Sequence, residues 1–210
     1  MTVADPVRNE DVAEEDLLRA DLYDLLAALL ARPPSRELID RVASLSGDET
    51  ALGQGVGALS RLARATSERA AEREFHNLFI GVGRGELLPY ASYYLTGFLH
   101  EKPLAVLRND MDRLQITRAP NVYEPEDNIA SLCEMMAGLI RGRFGAPAPL
   151  QKQKDFWSAH IGPWAGPFFD DLAKARGSAF YAPVGIVGAA FMEIEREAFR
   201  MGGETSGQTH

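Results

Sequence analysis

The 210 residues contain one cysteine, Cys133. A single thiol excludes an intramolecular disulfide and any Cys-x-x-Cys zinc or redox pair. That fits a reducing compartment. Basic residues are outnumbered: 22 Lys/Arg against 30 Asp/Glu give a net charge of −8. A nucleic-acid binder needs a basic face to displace counterions from phosphates, and an anionic membrane needs the same. Both partners are therefore unexpected. The negative charge is unevenly placed. Residues 1–24 hold eight Asp/Glu against Arg8 and Arg19, so six of the eight net charges lie there. Long apolar runs are missing too. The apolar stretch Ala179–Met192 has 14 residues, short of the roughly 20 a spanning helix needs. No basic segment followed by an apolar core opens the chain, so no secretory signal is visible. A cytoplasmic protein without membrane insertion is expected. Alternating strand patterns are nearly absent. Tyr90–Leu95 has strand-like composition, but one such run makes no sheet.

What is present is helical periodicity. Leu18, Leu22, Leu25, Leu26, Leu29 and Leu30 share one face, and Pro33-Pro34 ends that helix. Ser35 is a fitting N-cap for a short helix to about Ser44. Further helices are expected over about 51–66, 68–79, 104–114, 150–161, 164–176 and 180–200. Pro103 sits in a tolerated first turn. The strongest pattern is Ile129, Leu132, Cys133, Met136, Leu139 and Ile140. Pro125, Glu126 and Asp127 suit the first turn of that helix, where acids offset the macrodipole. The expected fold is all-α, a single compact domain of eight to ten helices. It is expected to span 16–201, with a flexible acidic segment at 1–15 and a disordered small, polar tail at 202–210.

Catalytic chemistry is hard to assemble from these residues. Gly81-Val-Gly83-Arg84-Gly85 follows a helix rather than a strand and lacks the spacings of phosphate loops, which favours a flexible connection. The four histidines lie in no His-Glu-x-x-His motif and no metal-ligand cluster. Cys133 lies on an apolar stripe, where a small buried hydrophobe is the default. No Gly-x-Ser-x-Gly elbow exists. The chain is not expected to be an enzyme, and no metal or intrinsic cofactor is expected.

Two stretches stand above this background. Leu78-Phe79-Ile-Gly81 leads through the glycines to Pro89-Tyr90-Ala-Ser92-Tyr93-Tyr94-Leu95, an aromatic and aliphatic cluster suited to a half-dry peptide groove or to a plug between helices. Tyr123-Glu124-Pro125-Glu126-Asp127-Asn128 opens the strongest helix, and Asp127, Ser131 and Glu134 continue it as a polar stripe. Carboxylates beside aromatics would attract a basic, partly apolar peptide; a solvated helix face is the competing account.

Together these stretches resemble the TorD/DmsD/NarJ family of redox-enzyme maturation chaperones. Leu78-Phe79-x-Gly81 with Pro89-Tyr90-x-Ser92-x-Tyr94-Leu95 looks like its first motif. Glu124-Pro125-Glu126-Asp127-Asn128 looks like its second, usually Glu-Pro-x-Asp-His. Phe156, His160, Trp164 and Phe168 resemble its C-terminal helical pattern. The similarity runs from roughly Leu17 to Phe199. It implies a TorD-like helical chaperone in the cytoplasm, binding the twin-arginine signal peptide of a molybdoenzyme catalytic subunit until molybdopterin is inserted and export can follow. Leader binding would then fall to Leu78, Phe79, Gly81, Pro89, Tyr90, Ser92, Tyr94, Glu124, Asp127, Asn128, Ser131 and Glu134, with His160 and Trp164 in structural or binding roles. Asn128 replaces the family's histidine: it can hydrogen-bond but cannot titrate near neutral pH. Leu95–Leu104 looks closer to chaperones associated with formate dehydrogenase. An adaptor for a folded subunit, and a helical enzyme using Asp127, Glu134 and His160, are the alternatives. The client, guanine-nucleotide binding, and a monomer or homodimer state stay open.

Overall fold

The computed structural model describes residues 12–118 and 123–204. Ten α-helices run in the order α1 Glu14–Leu30, α2 Arg36–Ala43, α3 Ala51–Ala65, α4 Glu68–Phe75, α5 Ala91–Thr96, α6 Lys102–Arg113, α7 Ile129–Arg141, α8 Leu150–His160, α9 Ala165–Lys174 and α10 Tyr181–Glu204. A π-helical turn, His76–Ile80, extends α4. No strand occurs among the described residues; Tyr90 and Asn128 form an isolated antiparallel bridge. The fold is all-α.

Local rules set many of the boundaries. The hydroxyls of Ser35, Thr50 and Ser67 each accept a backbone N–H in the following turn, capping α2, α3 and α4. Gly142, at φ 73°, ends α7 in the left-handed conformation, and a Cβ there would meet Pro147 at 2.7 Å. Pro103 lies in the first turn of α6.

Helix α7 is buried nearly all round. Ile129, Leu132, Cys133 and Met136 are fully buried, and Ala130, Met135 and Ala137 bury the flanks. A helix apolar on all but the narrow stripe of Ser131 and Glu134 belongs at the centre. Helix α1 packs on it, α8 touches its far end, and α10 packs on α9 and α3. Glycine permits the α9–α10 contact: a Cβ on Gly188 would lie 2.2 Å from the Phe169 ring.

Tyr90 is extended and α5 begins at Ala91, so the strand-like composition of Tyr90–Leu95 makes no sheet, as expected. The start of α5 is set by bonds from the Ala91 and Ser92 N–H groups to Asp127. Two expectations change. Helix α7 begins at Ile129 with Asn128 as its cap, so Pro125, Glu126 and Asp127 form a preceding turn. Leu18, placed on the buried face of α1, is 60% exposed, while Ala20, Tyr23 and Ala27 are buried. The face is rotated because Arg19 and Tyr23 both reach a buried carboxylate, Glu195 on α10. At the chain ends, 1–11 and 205–210 of the expected flexible segments lie outside the described residues. Helix α10 continues to Glu204, past the expected boundary at 202.

Candidate functional site

Pairing between the two sequence motifs builds the site. The Ala91 N–H donates to the Asp127 carbonyl at 3.0 Å, and the Ile129 N–H to the Pro89 carbonyl at 2.9 Å. The Ser92 N–H, a free donor at the start of α5, donates to Asp127 Oδ2 at 2.8 Å. The Asn128 side chain accepts from the Ala130 N–H at 2.9 Å and caps α7. Asparagine is among the best N-cap residues, so this position does structural work that needs no titratable group.

The clamp carries one wall of a cavity of about 990 Å³. Phe79, Pro89, Tyr90, Glu124, Asn128, Ser131 and Glu134 line it, joined by Phe75, Ile80 and Phe144. The end of α1, the Arg32–Ser35 connection and α2 form the opposite wall, through Asp24, Leu30, Arg32, Leu38 and Arg41. Residues far apart in sequence thus enclose a space large enough for several side chains.

Other residues expected at the site lie elsewhere. Leu78 is buried in the core. Ser92 is fully buried. Gly81 has φ 60° and lets the loop fold back: a Cβ would sit 1.9 Å from the Arg84 carbonyl oxygen. The Leu87 N–H returns to the Leu78 carbonyl at 2.8 Å, so the glycine loop closes on itself. Tyr94 stacks against Trp164 and Phe168 and donates to Asp171 at 3.0 Å. His160 is buried against Phe156 and bonds Asp110 at 2.9 Å. Burial lowers its proton affinity more than Asp110 raises it. Trp164 donates its indole N–H to the His160 carbonyl at 2.7 Å. These two, with Tyr94, form a structural cluster away from the cavity.

The carboxylates now separate by their partners. Glu124 accepts from the Tyr90 hydroxyl. Burial and this neighbour push the Tyr90 phenol up, keeping it protonated as a donor. Glu126 is held by Arg108 at 2.9 Å and Arg118 at 3.4 Å. Asp24 is paired with Arg143 at 2.6 Å and with Arg141. Asp127 is only 1% exposed and is committed to Ser92. Glu134 alone among these has no hydrogen bond or ion pair among the described residues, and it opens into the cavity. Desolvation and nearby Asp24 raise its carboxyl above the ordinary 4.5, against the pull of Arg143 and Arg32.

Asp127 is therefore a positioning residue. Asp127→Ala leaves the Ser92 N–H unpaired and is expected to cost about 1–3 kcal/mol, the usual penalty for orphaning a buried donor. Urea unfolding measures it; an unchanged midpoint would remove Asp127 from the clamp.

The sequence alone did not point to Arg32, Arg41, Arg143 or Phe144. Arg32 stood next to Pro33-Pro34 and carried only the signal of a helix stop. No group of three or more His, Cys, Asp or Glu positioned to hold a metal occurs among the described residues. No described helix is long and apolar enough to cross a membrane. Cys133, fully buried, has its thiol pushed far up by desolvation, which keeps it inert.

Comparison with known proteins gives the class. Residues 46–170 match the family model described as nitrate reductase delta subunit. The chaperone protein TorD of Vibrio cholerae serotype O1 is 29% identical over 198 residues, covering 85% of this chain and 90% of that one. The TorD of Vibrio atlanticus is 26% identical over 200 residues, covering 85% and 93%. A crystal structure from Archaeoglobus fulgidus, assigned as a redox enzyme maturation protein, shares the fold. Its TM-score is 0.56 at 17% identity, with 84% of this chain and 94% of that one covered. The chain belongs to the nitrate reductase delta subunit family, the TorD/NarJ group of redox-enzyme maturation chaperones. It is a chaperone and not an enzyme.

Proposed function

We propose that this chaperone binds the twin-arginine leader of a molybdopterin oxidoreductase catalytic subunit in the cavity between α1–α2 and α7. Binding takes place in the cytoplasm and holds the apo-subunit until its cofactor is inserted, delaying export. The molybdopterin belongs to the client, and the chaperone contributes no cofactor of its own. The observation that carries the reading is the pairing of an aromatic wall with one carboxylate, Glu134, unpartnered among the described residues, in a cavity of about 990 Å³. A leader presents guanidinium groups beside an apolar run. Glu134 matches the first by charge-assisted hydrogen bonding. Phe75, Phe79, Tyr90 and Phe144 match the second. The Leu95–Leu104 run makes a formate dehydrogenase the first client to try.

Calorimetry with the leader peptide and its Arg-Arg to Ala-Ala variant tests the reading. Micromolar or tighter binding is expected for the first, with a loss of at least about tenfold for the second, the worth of one charged hydrogen bond. A second reading draws on exposed Leu95, Phe98 and Leu99, an apolar group beside α5. An adaptor using it would retain a leaderless client and ignore the isolated leader.

A further inference from the structure

The cavity has a basic side that the leader reading leaves unused. Arg32 and Arg41 line it from the α1–α2 connection and from α2, and both are exposed. Neither guanidinium makes a hydrogen bond or an ion pair among the described residues. Their neighbours differ. Arg36 is held by Asp40, Arg64 by the Ala43 carbonyl, and Arg143 by Asp24. Arg32 is close enough to Glu134 to favour its ionised form, yet no nitrogen–oxygen approach within 4.0 Å joins them. Opposite charges therefore face one another across an open space without closing it. A gap of this kind is complementary to a ligand of reversed polarity, which would satisfy both sides at once.

We propose that Arg32 and Arg41 form an anion seat, and that the cavity selects a client segment carrying an acidic side chain near its arginines. The proposal rests on the leader reading and extends it to specificity. A guanidinium of the segment pairs with Glu134. A carboxylate of the same segment pairs with Arg32 and Arg41, and apolar residues lie on the Phe79–Tyr90 wall. The two arginines also repel the segment's own cations, so the seat fixes the direction in which the peptide lies. Arginine suits the role, because its planar fork takes a carboxylate bidentately. The carboxylate is an Asp or Glu side chain, since a leader stands at the client's N-terminus and offers no chain end there.

The test uses the full chain and synthetic C-terminally amidated peptides. Each carries an Arg-Arg pair and an apolar run. A single Glu is moved through the positions on either side of the pair, and a matched set carries Gln. In at least one position the Glu peptide is expected to bind about tenfold tighter than its Gln partner, the scale of one charge-assisted contact. The Arg32→Gln, Arg41→Gln double variant is expected to erase that difference. Both side chains are exposed and unpaired among the described residues, and a thermal melt checks that the variant is folded. Arg32→Glu with Arg41→Glu is expected to invert the preference toward Lys peptides. A Gln peptide with a free C-terminus tells whether a terminal carboxylate fills the seat equally well, which would overturn the side-chain assignment. Equal binding of Glu and Gln peptides at every position overturns the anion seat while leaving the leader reading standing. Failure of every peptide to bind overturns both.

Discussion

Glu134→Arg is expected to weaken leader binding by about a hundredfold, the upper range for losing a charged hydrogen bond and replacing it with repulsion. The size follows from how the other acids are engaged. Glu124 serves Tyr90, Glu126 serves two arginines, and Asp24 serves Arg143. Asp127 is buried on Ser92. Glu124, Glu126 and Asp24 already share their charge with a partner and Asp127 is buried from a ligand, whereas Glu134 is exposed and has no hydrogen bond or ion pair among the described residues. The same site gives a pH dependence. Desolvation and Asp24 raise the Glu134 carboxyl above the ordinary 4.5. A cation binds the ionised form, so affinity is full above that raised value and falls as pH drops through it. In Glu134→Gln the acid-side loss is expected to vanish. Calorimetry of the leader peptide across pH 4–8 reads both effects; equal affinity of wild type and Glu134→Arg would move the cation site elsewhere.

Glu195→Ala is expected to destabilise the fold by about 3–5 kcal/mol, the cost of breaking a buried ion pair by removing one partner. Glu195 is fully buried on α10. Its carboxylate accepts from Arg19 at 2.7 and 2.9 Å and from the Tyr23 hydroxyl at 2.8 Å. Arg19 also donates to Asp16 at 2.5 Å and to Gln153 at 3.1 Å, joining α1, α8 and α10. Removing Glu195 leaves the buried Tyr23 phenol unpaired and Arg19, whose side chain is only 17% exposed, with Asp16 and Gln153 alone. Glu195→Leu with Arg19→Met is expected to recover part of the loss, because both buried charges go together and the freed Asp16 is partly exposed to water. Chemical denaturation of the single and double variants measures this. A single-variant loss under about 1 kcal/mol, the scale of an exposed pair, would show the network to be dispensable.

The position of these networks explains what could be read in advance. The α7 stripe was legible because a repeat of apolar residues on one helix needs no partner to be recognised. Ser35 and Pro103 were legible for the same reason: capping and first-turn tolerance act within four residues. The composition of Tyr90–Leu95 is strand-like, but one such run makes no sheet, and its helical start is fixed by bonds to Asp127 some 35 positions away. Asn128 was seen as a departure from a motif, but its part as the α7 cap became clear only with the backbone around it.

The sequence by itself determined an all-helical fold, since helix periodicity and capping are local in the chain, and its two motifs carried the resemblance to this family of chaperones. Tertiary structure alone decided which motif residues face the cavity and which hold it together. Asp127 and Glu134 are seven residues apart on adjoining segments, chemically alike, and equally plausible as cation sites from spacing. Packing of α5 against the turn before α7 buries one carboxylate on a backbone N–H and leaves the other open. The packing of α1 on α7 brings Arg32 and Arg41, roughly a hundred residues earlier, to the same cavity.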